Sequence, residues 1–134
     1  MKNFRGYIFS RSFYGERAPQ HIQNQIIRDF CEKKKINYFL SSVEYTLDNS
    51  NLILKKVLNE LDEVDGIVMY SLFQLPKNTS EREKVYKKIL NKKKLLYFAV
   101  ENLRLKYNYE KNHIENIIKI KTLLPSCIKK LNEN

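Results

Sequence analysis

The strongest constraint on the fold is the alternation of strand-like and helix-like segments along all 134 residues. Four short apolar runs are rich in β-branched and aromatic residues, which favour strands, and they lie at 4–10, 36–43, 67–70 and 95–100. Each run is followed by a segment with apolar residues at helical spacing. Strands that alternate with helices predict a parallel sheet covered on both faces. We therefore expect a single α/β domain over 1–134, a three-layer sandwich with a mostly parallel four-stranded sheet.

Prolines and polar residues predict where the helices begin and end. Pro19 predicts the start of the first helix, because its fixed φ suits the first turn. Ser80 and Glu83 have the spacing of a capping box and predict the start of the third helix. Pro125 predicts the end of the last helix, which leaves 129–134 as a frayed tail.

The composition limits the partners. The formal net charge of +10 favours acidic partners such as nucleic acid, acidic lipid or a phosphorylated substrate. The lysines of the chain fall in short groups, however, and two of these groups end predicted helices, where cations complement the helix dipole. This placement favours a solvated surface over a dedicated nucleic-acid patch. No apolar run approaches the roughly 20 residues that cross a bilayer, so we expect no membrane span and a cytoplasmic location. No His or Cys spacing indicates a metal site, and we predict no cofactor.

Polar side chains follow every predicted strand. The carboxyl ends of parallel strands meet at one edge of the sheet, and ligands bind in the crevice outside that edge. The candidate catalytic residues are Ser10, Arg11, Glu44 and Glu101. The candidate substrate-binding residues are Tyr7, Ser12, Arg17, Gln20, Gln25, Tyr45, Ser71 and Gln74.

Part of this pattern resembles the catalytic domain of serine recombinases (resolvases and invertases) over about residues 4 to 105. Gly6 and Tyr7 match that family's first strand, Gln20 and Gln25 keep the spacing of its two glutamines, and Glu44 stands at its acidic position. The resemblance implies a mostly parallel sheet in the order 2-1-3-4.

The recombinase catalytic residues are replaced. Arg11 stands at the position of the nucleophile, with Ser10 and Ser12 on either side. Phe73, Gln74 and Lys77 stand where the family has an aspartate and two arginines. Because recombinases need several arginines to stabilise the scissile phosphate in the transition state, we do not expect strand exchange.

A closer resemblance covers nearly the whole chain. The segments 5–11, 19–21, 66–76 and 98–101 are similar, in order, to those of the sporadic carbohydrate cluster proteins. These small bacterial proteins are encoded among genes for surface-polysaccharide sugars. The resemblance implies a context of carbohydrate biosynthesis. Together with the polar residues at the strand ends, it favours a phosphorylated or nucleotide-linked sugar as the partner.

The predicted site suits an anion. Arg11 and Arg17 can hold a phosphate through charge-assisted hydrogen bonds, and the helix that starts near Pro19 adds its dipole. Glu44 or Glu101 can act as a general base on a sugar hydroxyl. In the alternative interpretation, Arg11 forms an ion pair with one of these carboxylates and only closes the edge of the sheet. No histidine is placed to activate the hydroxyl of Ser10 or Ser12, which argues against either serine as a nucleophile.

Three functions follow from these observations. The leading one is an enzyme, or an enzyme subunit, that binds or modifies the sugar. The second is a non-catalytic nucleic-acid-binding protein with a degenerate recombinase-like fold, although no recognition helix is evident. The third is a scaffolding protein, in which Ile114, Ile117 and Ile118 of the last helix form a homodimer or instead cover the sheet.

Overall fold

A five-stranded, mostly parallel sheet forms the centre of the protein in the computed structural model, which describes residues 1–47 and 49–133 and the side chains among these up to 123. The strands are β1 (Asn3–Phe9), β2 (Asn37–Glu44), β3 (Gly66–Met69), β4 (Leu95–Phe98) and β5 (Leu103–Leu105). The helices are α1 (Gln20–Lys34), α2 (Leu52–Asn59), α3 (Thr79–Asn91) and α4 (Asn108–Glu133), with short 3-10 helices at Leu61–Glu63 and Leu72–Gln74.

The strand order is β2-β1-β3-β4-β5. The first four strands are parallel to one another, which confirms the predicted α/β class and the 2-1-3-4 order. The predicted count of four strands is wrong, because β5 adds an antiparallel edge strand next to β4. This strand has only three residues, too few to show a strand period in the sequence.

The register of the sheet brings the carboxyl ends of the parallel strands to one edge. Phe9 at the end of β1 pairs with Glu44 at the end of β2. Met69 at the end of β3 pairs with both Tyr7 and Phe98. Side chains that follow these strands therefore meet above this edge, as expected for a parallel sheet.

Apolar side chains cover both faces of the sheet and form the predicted three layers. Ile8 and Val68 pack with Ile27 and Phe30 of α1 on one face. On the other face, helices α2, α3 and α4 cover a larger cluster that includes Tyr7, Leu54, Ile67, Val85 and Ile114. The continuous apolar strands of the sequence are explained by this two-sided burial.

Two predicted helix ends are wrong. The N-cap of α3 is Asn78, two residues before the predicted N-cap Ser80, because the Asn78 side chain accepts the Glu81 N–H (3.2 Å). Helix α4 continues through Pro125 to Glu133, since one proline removes one backbone hydrogen bond and can bend a helix without ending it. The frayed tail over 129–134 stays a prediction, and Asn134 lies outside the described residues.

Candidate functional site

An open cleft of about 780 Å³ lies beyond the carboxyl ends of β1 and β3. It is bounded by the loop after β1 and by the residues at the N-termini of α2 and α3. Its lining residues are Phe9, Arg11, Ser12, Phe13, Tyr14, Gly15, Asn49, Asn51, Phe73, Leu75, Pro76, Lys77, Asn78 and Glu81. We call it the phosphate cleft, after the ligand that is proposed for it below.

One wall of the phosphate cleft is a tight hairpin. Phe13 and Glu16 exchange two backbone hydrogen bonds of 2.8 and 2.9 Å around Tyr14 and Gly15. Both central residues have positive φ angles, 51° and 77°, as in a type I′ turn. Because a tyrosine rarely adopts this conformation, tertiary contacts must hold it, and the Tyr14 ring packs edge-on against Phe73 with centroids 5.3 Å apart.

Arg11 is fixed above the end of β1 by backbone carbonyls. Its Nη1 donates to the Tyr45 carbonyl (2.9 Å) and its Nη2 donates to the Ser50 carbonyl (3.0 Å). The guanidinium carbon lies 4.1 Å from the centre of the Phe9 ring. Among the described residues Arg11 forms an ion pair with neither Glu44 nor Glu101, so the alternative in which it closes the sheet edge through a carboxylate is wrong.

Lys77 supplies a second cation from the loop between β3 and α3. Its Nζ lies 5.7 Å from the centre of the Tyr14 ring. The loop is held by Arg82 of α3, whose Nη1 donates to the carbonyls of Pro76 (3.1 Å) and Lys77 (2.7 Å). The adjacent N-terminus of α3 carries positive partial charge.

Among the residues that the structure describes, Glu81 is the carboxylate that lines the cleft. It lies 3.2 Å from the Nζ of Lys84 and 3.9 Å from that of Lys55. Both ion pairs offset part of its charge, so among the described lining residues the positive charge of Arg11 and Lys77 exceeds the negative charge.

Glu44 is buried beneath the cleft and does not line it. Its two oxygens accept five hydrogen bonds of 2.8 to 3.2 Å, from the Tyr7 hydroxyl, the Ser50 hydroxyl and the backbone N–H groups of Tyr45, Ile53 and Leu54. These contacts join β1, β2 and the start of α2. The carboxylate therefore has a positioning role in this structure, and its predicted role as a general base stays untested.

Tyr7 is fully buried in the core and donates its hydroxyl proton to Glu44. Burial, and then the neighbouring Glu44 charge, raise the pKa of Tyr7 far above its usual range. The phenol is therefore neutral at any physiological pH. It lies outside the residues that line the cleft.

Glu101 joins the ends of β3 and β4. Its Oε2 accepts the Ser71 hydroxyl (2.7 Å) and its Oε1 accepts the Leu72 N–H (2.9 Å). Neither Ser71 nor Glu101 lines the cleft. The pair orders the start of the short helix Leu72–Gln74, which leads to Lys77.

The remaining predicted residues are dispersed. Ser12 is exposed and lines the cleft, whereas the Ser10 hydroxyl donates to the Glu44 carbonyl (2.8 Å). The others lie outside the cleft lining: Gln74 is buried, and the side chains of Arg17, Gln20, Gln25 and Tyr45 are exposed.

Gln23 is a structural residue of the site that the sequence analysis missed. Its Nε2 donates to the carbonyls of Phe9 and Ala18 (both 2.8 Å), and its Oε1 accepts the Phe9 N–H (3.1 Å). It also accepts from Nε2 of Gln74 (2.7 Å), another buried amide. The sequence signal was available, because Gln23 falls on the same helical stripe as Ile27 and Phe30, and a buried amide must be hydrogen-bonded.

The described residues include no group of three His, Cys, Asp or Glu side chains placed to hold a metal ion. Within the same part of the chain, no helix has the length and apolar character to cross a membrane.

Two solved structures are similar to this chain over nearly its whole length. The N-terminal catalytic domain of TP901-1 integrase has 13% sequence identity and a TM-score of 0.63, with 95% of this chain and 98% of that chain covered. A resolvase family site-specific recombinase from Streptococcus pneumoniae has 10% identity and a TM-score of 0.63, with 96% and 99% covered. At these identities the likeness shows the fold, which is of the resolvase catalytic-domain type.

No family model matches the chain, and no curated protein matches it. The resemblance to sporadic carbohydrate cluster proteins therefore stays a prediction.

Proposed function

We propose that the phosphate cleft binds a phosphorylated or nucleotide-linked sugar through its phosphate. The observation that carries this proposal is that two cations from different loops line the cleft beside the N-terminus of helix α3. Arg11 comes from the end of β1, Lys77 from the loop after β3, and α3 begins beside them. Helix N-termini flanked by cations are common anion sites.

The geometry of Arg11 suits a phosphate. A guanidinium has five N–H donors, and the described residues use two of those on Arg11. The remaining donors can bind two phosphate oxygens in the bidentate manner that arginine favours. The two carbonyl contacts and the Phe9 ring fix the side chain before the ligand arrives, which lowers the entropy cost of binding.

The rest of the cleft suits a sugar. Asn49, Asn51 and Asn78 provide amide donors and acceptors for hydroxyl groups, and Tyr14 and Phe73 provide apolar ring surface. A nucleotide-linked sugar would use both kinds of surface. A role in bacterial surface-carbohydrate biosynthesis is part of this proposal and is supported by the resemblance in sequence. A location in the cytoplasm stays a prediction.

The proposal concerns binding alone and names no catalytic residue. Arg11 replaces the recombinase nucleophile and Lys77 replaces one of the arginines, so the attacking hydroxyl is lost and one of the two cations of the cleft is new. The hydroxyl of Ser10 and the carboxylates of Glu44 and Glu101 are bound by protein groups. Their catalytic roles stay predictions.

Titration of the protein with UDP-glucose, glucose 1-phosphate, inorganic phosphate and glucose, followed by NMR amide shifts, tests the proposal. We expect the phosphorylated ligands to shift amides of the cleft and glucose alone to have no effect. Arg11→Ala and Lys77→Ala should each weaken binding at least about tenfold, or about 1.4 kcal/mol. Arg11→Ala should reduce the free energy of unfolding by only about 1 kcal/mol, since it loses two hydrogen bonds near the surface.

Lys33→Ala is the matched control. Lys33 is an exposed lysine in the last turn of α1, so its removal changes the net charge equally at a site outside the cleft. It should leave binding unchanged. Equal weakening by all three substitutions, or no amide shift with any phosphorylated ligand, would contradict the proposal.

We also propose that the chain forms a homodimer through α4. The residues predicted for the dimer, Ile114, Ile117 and Ile118, pack against the core instead, whereas Ile120 and Leu123 lie on another face of the helix and are exposed. The exposed pair gives the helix an apolar surface beyond the part that covers the sheet. Sedimentation equilibrium tests this proposal, and a monomer at micromolar concentration would exclude it.

A further inference from the structure

Two exposed tyrosines stack on each other beside the β5 edge of the sheet. The rings of Tyr107 and Tyr109 are nearly parallel, at 11°, with centroids 5.7 Å apart. Their exposed fractions are 45% and 69%. Neither residue lines the phosphate cleft. We call this pair the tyrosine ridge.

The Glu110 side chain holds the backbone that carries the tyrosine ridge. Oε1 of Glu110, in the first turn of α4, accepts the N–H groups of Lys106 and Tyr107, each at 2.9 Å. Oε2 of the same carboxylate accepts Nε of Arg104 (3.2 Å). Two of these bonds fix the backbone of the turn before α4, so ordering this turn costs little when a ligand binds.

Cations lie on both sides of the tyrosine ridge. A cleft of about 460 Å³ lies on the Tyr109 side and another of about 780 Å³ on the Tyr107 side. Six lysines and arginines line the two clefts, against the two carboxylates of Glu83 and Glu110. The six are Lys34, Lys84, Lys87, Arg104, Lys106 and Lys111.

The cations and the rings form one surface. Nζ of Lys106 lies 5.2 Å from the centre of the Tyr107 ring, and the guanidinium carbon of Arg104 lies 6.0 Å from it. A ligand that stacks on the ridge therefore meets positive charge within a few ångströms. Its chemistry must combine flat aromatic groups with closely spaced negative charges.

We propose that the tyrosine ridge binds single-stranded nucleic acid. Bases stack on tyrosine rings whatever their sequence, and lysines and arginines follow the phosphates. A duplex hides the faces of its bases, so the ridge should prefer single strands. This site is separate from the phosphate cleft and does not depend on the sugar-binding proposal.

Tyr109→Trp gives a direct test, because the chain has no tryptophan and the new indole is the only one. The probes are oligothymidylate and oligouridylate of about ten nucleotides, which suits the site sizes of stacking proteins. An abasic strand of equal length carries the same phosphates without bases. We expect both base-containing strands to quench the tryptophan fluorescence, and the abasic strand and a duplex to have little effect.

Affinity measurements on the unlabelled chain complete the test. Tyr109→Ala should weaken binding of oligothymidylate at least tenfold, while Tyr109→Trp retains it. Lys106→Ala should weaken binding and also reduce its salt dependence by about 0.7 in the log–log slope, as expected for one lost phosphate contact on a single strand. Lys56→Ala, which removes an exposed lysine of α2, should change neither quantity.

Three results would overturn the proposal. The first is no binding of either strand at low salt. The second is equal binding of abasic and base-containing strands without quenching, which would reveal attraction by charge alone. The third is an emission shift with phosphatidylserine vesicles but not with nucleic acid, which would assign the surface to a membrane. An excess of UDP-glucose should not displace the strand, and this separates the ridge from the phosphate cleft.

Discussion

Gln23 holds the end of β1 in a way that backbone pairing alone does not. Its side-chain amide binds both the N–H and the carbonyl of Phe9, as a neighbouring strand would. It also holds Ala18, at the far end of the loop that carries Arg11. One buried amide thus fixes both ends of the loop that forms a wall of the phosphate cleft.

Replacing this amide should be costly. Gln23→Leu keeps the side-chain size but leaves buried backbone groups of Phe9 and the amide of Gln74 without partners. Because each unsatisfied buried group costs about 1–3 kcal/mol, we expect a loss of about 3 kcal/mol in the free energy of unfolding, measured by urea denaturation. Gln25→Ala is the control, since Gln25 is exposed and binds Asp29 on the same helix. It should change stability by less than about 0.5 kcal/mol.

A Gln23→Leu protein as stable as the parent chain would show that other contacts hold the loop. The glutamines of α1 also show what the sequence cannot predict. The spacing of Gln20 and Gln25 along the chain predicted a binding role for both, whereas the burial of a side chain depends on the rotation of α1 about its axis. That rotation follows from the packing of Ile27 and Phe30, which places Gln23 inward and Gln25 outward.

The N-terminus of helix α2 is capped by a side chain from the neighbouring strand β2. The residue at its N-cap position, Asn51, makes no capping hydrogen bond with its side chain. Glu44 at the end of β2 instead accepts the N–H groups of Ile53 and Leu54. A carboxylate there also interacts favourably with the positive end of the helix dipole.

Glu44→Gln should therefore destabilise the protein although it preserves the size of the side chain. The substitution removes the charge. It also turns an NH₂ group, itself a donor, toward at least one of the five N–H or O–H groups that now donate to Glu44. We expect a loss of about 3 kcal/mol, within the range for a broken buried charged network. Thermal or urea unfolding measures it, and Asn51→Ala should cost much less.

If Glu44→Gln instead keeps full stability and abolishes only a reaction, Glu44 is the general base that the sequence analysis predicted. The sequence supports either role equally, because a carboxylate that follows a strand can face a ligand or the next helix. Only the position of α2 decides between them, and that position depends on packing between distant segments.

The elements themselves were more predictable than their ends. The apolar runs and helical stripes identified four strands and four helices because burial on both faces of the sheet imposes those patterns. The start of α3 and the path of α4 past Pro125 were missed. A capping box and a proline are local preferences of about 1–3 kcal/mol, which tertiary packing can override.

At the scale of the molecule, the sequence predicted the order of the parallel strands but not the contacts that build the cleft. Arg11 is positioned by carbonyls of Tyr45 and Ser50, which lie 34 and 39 residues away in the chain. Backbone carbonyls have no signature in the sequence. The cleft therefore required the folded structure: Arg11 was predicted as a site residue, whereas Lys77 was named only as the replacement of a recombinase arginine.

A partly buried ion pair joins α4 to the rest of the protein. Arg82 of α3 binds Glu115 of α4 through two N–H donors (2.9 and 3.0 Å), and Tyr86 donates its hydroxyl to the same carboxylate (2.6 Å). Partial burial acts to raise the pKa of Glu115, but the hydrogen bonds from Arg82 and Tyr86 outweigh it and hold the pKa below its ordinary value.

This pKa predicts how stability depends on pH. Because the pKa of Glu115 is lower in the folded protein than in the unfolded chain, its contribution is complete above about pH 4.3, the ordinary value for glutamate, and is lost as pH falls through the folded pKa. Glu115→Gln should cost about 2 kcal/mol at pH 7, because it leaves Arg82 without its charged partner. The deficit should shrink as the pH is lowered below 4, since the parent chain then loses the same interaction. Urea denaturation across this range measures both curves, with the exposed Glu63→Gln as the control that follows the parent chain. A deficit that stays constant with pH would show that Glu115 supports α4 by shape and not by charge.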